Sequence, residues 1–483
     1  MRRGLVRLHK GFLLLEALLG VAIASSFFLA VTIALIGSQE GTVAGGNRVR
    51  GAFLSEYALE VSRSIRDDSF LSLSDGSHGV RVATNGTVSF TGSRVTMTGG
   101  YITSLLITSP ASDWKRLTAT TKWKLGYARS GSVVLFSELT DWRGSGQVGN
   151  WSTITLEGSV TEASGTNFSS VAVSGHYVLV GSSVAGGGAG LYIYDISSLT
   201  TPNRVNASFM VGYDVQSVVV CGSMLYLLTN DASGEIKAYR IGSLPTVTYV
   251  TSYNLPGSAL GTSLTSYGYM LYASSTYSVT NGEKEFYAFD VSSSGSITLK
   301  SSLDDTGTLN AVGLSGTSAY LGSTLDASEL RVLTLANSGS IALAGGGAYN
   351  VSGTEDGLAV AVSGSSALLG RTRGTSIQEF VMFKIPNGGV PTSPGPYYRE
   401  TSGSVLSIAA EPSGCYAFAA TQQKYKALQV IKIGDTSLPE AAYYTLSSSR
   451  GRAVTYDMVR DRVYLVTDES LMIFKPAAAT GSC

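Results

Sequence analysis

Residues 171–182 read VAVSGHYVLVGS: an alternating apolar strand, a small Ser-Gly-His turn, and a second strand. The layout returns as SVVVCGSMLYLLT from Ser217, SLTSYGYMLYAS from Ser263, AVGLSGTSAYLGS from Ala311 and AVAVSGSSALLG from Ala359. SIAAEPSGCYAFAA from Ser407 and AVTYDMVRDRVYLVT from Ala453 complete the series. The turn residues Gly175, Gly222, Gly268, Gly316, Gly364, Gly414 and Asp461 follow one another at about 46–50 residues. A third strand follows each turn pair: LYIYDIS, EIKAYRIG, EFYAFDVS, ELRVLTLA, EFVMFKIP, LQVIKIG and LMIFKP. A fourth, more polar strand then leads onward. Four strands in a unit of under about fifty residues predict the blades of a β-propeller, seven in number.

The ends of the array predict how the ring closes. The last unit stops at LMIFKP and lacks a fourth strand, while WSTITLEGS at 151–159 precedes the first unit and has no partner of its own. Placing that segment as the outer strand of the last blade removes two exposed edges. The units resemble the LVIVD and YVTN type of surface-protein propeller repeats, with the Asp-Ile-Ser after LYIY as the closest echo.

Upstream of the ring the pattern changes. Arg2, Arg3, Arg7 and Lys10 form a basic head, and the 25 residues from Phe12 to Ile36 carry one charge, Glu16. As a helix this run spans roughly 38 Å, enough to cross a bilayer core of about 30 Å. The basic head holds its N-terminus in the cytoplasm. A carboxylate in such a segment costs about 2.5–3.5 kcal/mol and needs a partner. Gly41, Gly45 and Gly46 are expected to interrupt or loosen the helix. Phe53, Leu54, Tyr57, Ala58, Val61 and Ile65 then give an amphipathic continuation to about Arg66. From Gly79 the period drops to two. GVRVAT, TVSFTG, RVTMTG, YITSLLIT, RLTATTKWKLGY and GSVVLFSELTDW read as the strands of a small sheet.

KG|FLLLE, with Glu16 fifth after the break, resembles the class III leader of type IV prepilins and type II secretion pseudopilins. The hairpin with T-x-x-W before L-T-x-W resembles the C-terminal β-hairpin of some minor pilins. The resemblance implies cleavage by a prepilin peptidase between Gly11 and Phe12, methylation of the new N-terminus, and pairing of Glu16 with the Phe12 amine of a neighbouring subunit in a filament. The expected fold is mainly β with one long N-terminal helix. The parts are a leader at 1–11, a membrane and filament-core helix at 12–66, and a pilin-like sheet at 67–142. A linker at 143–150, a seven-bladed propeller at 151–476 and a tail at 477–483 follow.

Composition bounds the chemistry. Lys plus Arg and Asp plus Glu both number 34 in 483 residues, so there is no global attraction to nucleic acid, which is not an expected partner. Only 14% of residues are charged. Outside the leader the histidines are His78 and His176, in different domains, which argues against a Ser-His-Asp triad or a His metal site. No catalytic residue, metal ligand or cofactor site is assigned. Asp304-Asp305 and the loop Asn230–Glu235 offer oxygen ligands, without a calcium-loop spacing, and are read as solvated turns. The GGGAG at 186–190 joins two strands and is read as a hairpin loop. Cys221, Cys415 and Cys483 are too few and scattered for a disulfide framework. Tyr267, Tyr269, Tyr277, Tyr397 and Tyr398 fall in loops or strand ends that suit carbohydrate or protein contact and blade packing equally.

The functional expectation is a minor or tip subunit of a type IV pilus-like filament with a propeller head for adhesion. Its partners are other pilin subunits, the prepilin peptidase, the cytoplasmic membrane before assembly, and a surface glycan or protein. The alternatives are a type II secretion or DNA-uptake pseudopilin, and a membrane-anchored propeller enzyme.

Overall fold

The computed structural model describes residues 10–478 apart from 69–72, 83–87, 98, 112–113, 126–128, 141–147, 185–188, 207–208, 258, 269, 279–282, 292–294, 337–338, 376–377, 386–388, 393–395 and 435. The chain divides into two compact units, Met1–Ser145 and Gly146–Cys483.

The first unit is one helix, Lys10–Asp68, with an antiparallel sheet. The helix is continuous through Gly41, Gly45 and Gly46, against the expected interruption. A glycine costs a helix about 1 kcal/mol, too little to break one flanked by good formers. At 59 residues it is about 89 Å long. Residues 15–46 are exposed, and burial begins near Gly51.

The buried stripe is Gly51, Ser55, Ala58, Leu59, Val61, Ser62 and Ile65. Phe53 and Tyr57, expected on it, are exposed at 65% and 40%. The reason lies in the sheet, which brings its own large rings to the contact. A Cβ on Gly51 would sit 2.5 Å from the Trp123 ring, so only glycine lets the helix approach there. Ser55 Oγ meets Thr121 Oγ1 at 2.8 Å, and Thr121 meets Thr103 at 3.1 Å, so the buried hydroxyls satisfy one another.

The sheet runs Val88–Thr91, Gly76–Val82, Tyr101–Ala111, Trp114–Leu125, Arg129–Thr140, with Val95–Met97 also on Tyr101–Ala111. Val80, Leu105, Ile107, Leu117, Ala119 and Leu139 point inward and close the core with the helix.

The second unit is a seven-bladed propeller. It holds seven four-stranded antiparallel sheets, each pairing its strands in order from the centre outward. Inner strands of successive blades lie side by side. That of blade 7, Ala453–Asp457, lies beside that of blade 1, Phe168–Ser174, so the ring is closed. All seven predicted turn residues have positive φ, from 51° at Asp461 to 86° at Gly414.

The outer strand of blade 7 is Asn150–Thr161, paired with Ser470–Ala478 as expected from the sequence. Chain belonging to the ring begins before that strand: Val148 packs on the blade 6–7 core, and Gly149 N donates to Asp461 Oδ2 at 2.9 Å. Apolar clusters sit between blades, for example Phe168, Val178 and Tyr192 of blade 1 against Tyr464, Val466 and Ile473 of blade 7. Cys415 is disulfide-bonded, while Cys221 is free and donates from Sγ to Gly268 O at 3.1 Å. Cys483 lies outside the described residues.

Candidate functional site: the mouth of the central channel

Each inner strand begins at one face of the ring, here the upper face, and ends at its turn on the lower face, which carries a glycine in blades 1 to 6 and Asp461 in blade 7. Six inner strands carry a register shift at the same place, next to their second residue: Phe168/Ser170, Val215/Ser217, Gly261/Ser263, Leu309/Ala311, Gly357/Ala359 and Val405/Ser407. A bulge re-aims the extra residue. The skipped residues are Ser169, Gln216, Thr262, Asn310, Leu358 and Leu406, and Arg452 precedes the inner strand of blade 7. All seven line the channel beneath its upper mouth.

Three of these residues bridge between blades. Ser169 Oγ donates to Val215 O, Thr262 Oγ1 donates to Leu309 O, and Asn310 Nδ2 donates to Gly357 O at 2.8 Å. Each bond runs to the next blade. Arg452 instead donates from Nε to Asp468 Oδ1 at 2.6 Å. Burial pushes the Asp468 carboxyl up, but the Arg452 bond and charge outweigh it, and the group titrates below its ordinary value.

A cavity of about 380 Å³ opens at this mouth. Gln216, Asn230, Thr262, Thr276 and Asn310 supply amides and hydroxyls, and Leu260, Leu358 and Leu406 supply apolar wall. Among the described residues its lining has no Asp, Glu, Lys, Arg or His.

A second set of polar residues on the upper face is structural. Glu235, Glu285, Glu329 and Glu379 open the third strands of blades 2 to 5, and none is more than 3% exposed. Each accepts a backbone N–H from the segment leaving that blade: Leu255 at 2.8 Å, Asp305 at 2.6 Å, Val351 at 2.7 Å and Thr401 at 3.0 Å. Burial raises the Glu285 and Glu329 carboxyls above their ordinary range. The signal was present in the sequence as the leading Glu of EIKAYRIG, EFYAFDVS, ELRVLTLA and EFVMFKIP, four strands otherwise read only for their apolar pattern.

Within each unit, the described residues singled out from sequence do not gather into one site. Gly11 and Phe12 lie within the helix, and their side chains are outside the described residues. Glu16 is exposed on the same helix. His78 stacks on Phe90 in the first unit, and His176 Nδ1 lies 3.1 Å from Arg460 at a lower-face turn. Asp304 accepts from Lys284 Nζ at 2.6 Å, Asp305 lies 3.0 Å from Arg331, and Asp231 pairs with Lys237 at 2.5 Å. Among the described residues no three His, Cys, Asp or Glu converge as a metal set. Tyr267 is exposed at the lower end of blade 3, Tyr277 is exposed beside the upper end, and Tyr397 and Tyr398 lie on the outer strand of blade 5. Tyr269 is outside the described residues. The four described tyrosines are therefore scattered over the ring and do not form one contact surface.

No protein-family model matches the chain, and no curated protein is similar to it in sequence. Among solved structures, the crystal structure of the RRP9 WD40 repeats is similar at a TM-score of 0.47 and 10% identity, over 68% of this chain and 98% of that chain. The seven-bladed ring stands on its own strand pairing: seven four-stranded sheets, closed by Asn150–Thr161.

Proposed function

We propose that this protein is a membrane-inserted subunit of a type IV pilus-like filament whose propeller serves as a binding head. The observation that carries the reading is the helix. It runs unbroken from Lys10, and residues 15–46 are exposed, including an apolar stretch long enough to cross a membrane. Apolar surface of that extent needs a lipid or protein neighbour. Glu16 is the single charge in the run from Phe12 to Ile36 and sits where the KG|FLLLE resemblance places the assembly carboxylate. On this reading the peptidase cuts between Gly11 and Phe12, and Glu16 then pairs with the new amine of a neighbouring subunit. The propeller binds and does not catalyse.

The test is Glu16→Val, made in cells that carry a prepilin peptidase and an assembly platform. The variant should be processed, inserted and folded, yet absent from sheared filaments. Normal incorporation, or a mature chain that does not begin at methylated Phe12, would overturn the reading.

A further inference from the structure

The ring has a structural rule at its upper mouth, and the residues that break it outline a pocket. In blades 1, 3 and 4 the bulged side chain bonds to a carbonyl of the next blade. Gln216 holds the same position in blade 2. It is exposed and makes no hydrogen bond among the described residues. Leu358 and Leu406 hold it in blades 5 and 6 and have no group with which to bridge. Both are half-buried, in a position where a serine, threonine or asparagine would add an inter-blade bond. In blades 2 and 6 the inter-blade bond passes to the following serine, Ser217 Oγ donating to Leu264 O at 3.4 Å and Ser407 Oγ accepting from Val454 N at 3.2 Å, which leaves the bulged side chain free to face the channel. All three exceptions line the 380 Å³ cavity.

We infer that this cavity binds an uncharged saccharide. The size falls in the range of small-ligand sites, about 300–1,000 Å³. A carboxamide both donates and accepts, as each sugar hydroxyl does, so Gln216 and the remaining acceptor of Asn310 suit a hydroxyl rim. The leucines on other blades suit the C–H face of a pyranose ring. A uronic or sialic acid would bring a carboxylate to a mouth whose one described cation, Arg452, is already paired with Asp468 at 2.6 Å, and an unpaired charge there is costly. The mouth also lies on the face opposite the point where the chain enters the ring, since Asn150 pairs with Ala478 at the lower end of blade 7. The inference rests on the reading of the propeller as a binding head.

The experiment uses the full-length protein in nanodiscs, because glycosidic detergents would compete. It is screened on an array of neutral hexose and N-acetylhexosamine glycans, acidic glycans and uncharged peptides, and the strongest neutral glycan is then titrated. Neutral glycans should bind in preference to acidic ones. Gln216→Ala and Leu406→Ala should each weaken binding by about tenfold, the scale of one lost polar or apolar contact. Tyr267→Ala, at the lower face, should leave affinity unchanged, and the melting temperature of every variant reports its fold. The proposal is overturned if no neutral glycan binds, if acidic glycans or peptides bind better, or if a folded Gln216→Ala/Leu406→Ala double variant keeps its affinity. Failure of Glu16→Val to block assembly would remove the filament reading and leave this result untouched.

Discussion

Blades 4 and 7 have the same four-stranded layout and are completed in different ways. Blade 4 is one continuous stretch, Leu309 to Tyr349, and its strands need only short turns to meet. Blade 7 takes its outer strand from the far end of the array, so that Thr161 meets Ser470 across 309 residues of chain. Closing so long a loop carries an entropic cost that blade 4 does not bear. Blade 7 answers with side-chain contacts. Asp461 accepts from Gly149 N, from Trp151 Nε1 at 2.9 Å and from Tyr456 OH at 2.8 Å. Glu157 of the closing strand meets Arg462 at 2.5 Å and Lys475 at 3.3 Å. Trp151 is fully buried between blades 6 and 7, against Phe418 and Tyr456. A blade built from distant segments thus adds, to the kind of buried carboxylate bond that Glu329 makes with Val351 N in blade 4, several specific bonds aimed at its closing strand.

The largest expected effect comes from breaking that tie outright. Deleting Asn150–Thr161 should leave Ser470–Ala478 as an open edge and produce aggregation, read by light scattering and loss of a cooperative melt. Trp151→Ala alone should cost about 3–5 kcal/mol in urea titration, as for other large aromatic truncations in a core. A loss below about 1 kcal/mol would mean that blade 7 closes no differently from blade 4.

A smaller effect sharpens the comparison at the turns. Asp461 has φ 51°, in the place where the other blades use glycine, as at Gly316 with φ 55°. Asp461→Ala should destabilise by about 2–3 kcal/mol, because Trp151 Nε1 loses its acceptor inside the core. Asp461→Gly should cost less, since relief of the left-handed backbone returns about 1 kcal/mol. Gly316→Asp in blade 4 has open space for its side chain and should cost only that strain, about 1 kcal/mol.

The smallest effect is one of sign. Burial raises the Glu329 carboxyl of blade 4. Its contribution is therefore full below the unfolded-state pKa and is lost as pH rises through the folded value. In Glu157 of blade 7, burial pushes upward but Arg462 and Lys475 outweigh it, so the carboxyl is lowered. Its contribution is present above the unfolded pKa and is lost as pH falls. Urea midpoints measured across the carboxylate range should show Glu329→Gln flattening the alkaline decline and Glu157→Gln flattening the acid one. Equal slopes for the two variants would remove the contrast.

Much of this contrast could be read in the sequence, because period and turn chemistry are local. The glycine spacing, with Asp461 standing in for the last one, marks seven blades, and the stranded segment near Trp151 marks the closing strand. What Asp461 does could not be read, since its partners Gly149 and Trp151 lie more than 300 residues away. The channel mouth was hidden for another reason. Its residues share a bulge position but differ in chemistry from blade to blade, from Ser169 to Leu406, so no repeated letter marks them. In the first unit, Phe53 and Tyr57 fit a helical stripe by spacing alone. The face actually buried uses Gly51, Ser55 and Ala58 because Trp123 fills the gap from the other side.

The direction in which the closing strand runs sets how the ring responds to tension. Asn150–Thr161 starts at the lower face and is bonded along its length to Ser470–Ala478, so a pull on the chain at Gly149 along the strand axis loads those bonds in shear and together. A pull across the strand would instead peel them singly. The Asp461 contacts to Gly149 and Trp151 lie at the first residues to feel either load, and they act as a clamp that must slip before the hydrogen-bonded ladder is strained. Resistance to extension is thereby concentrated in one carboxylate and one strand, and single-molecule stretching from the N-terminal side should show a single early rupture at blade 7 ahead of the other six.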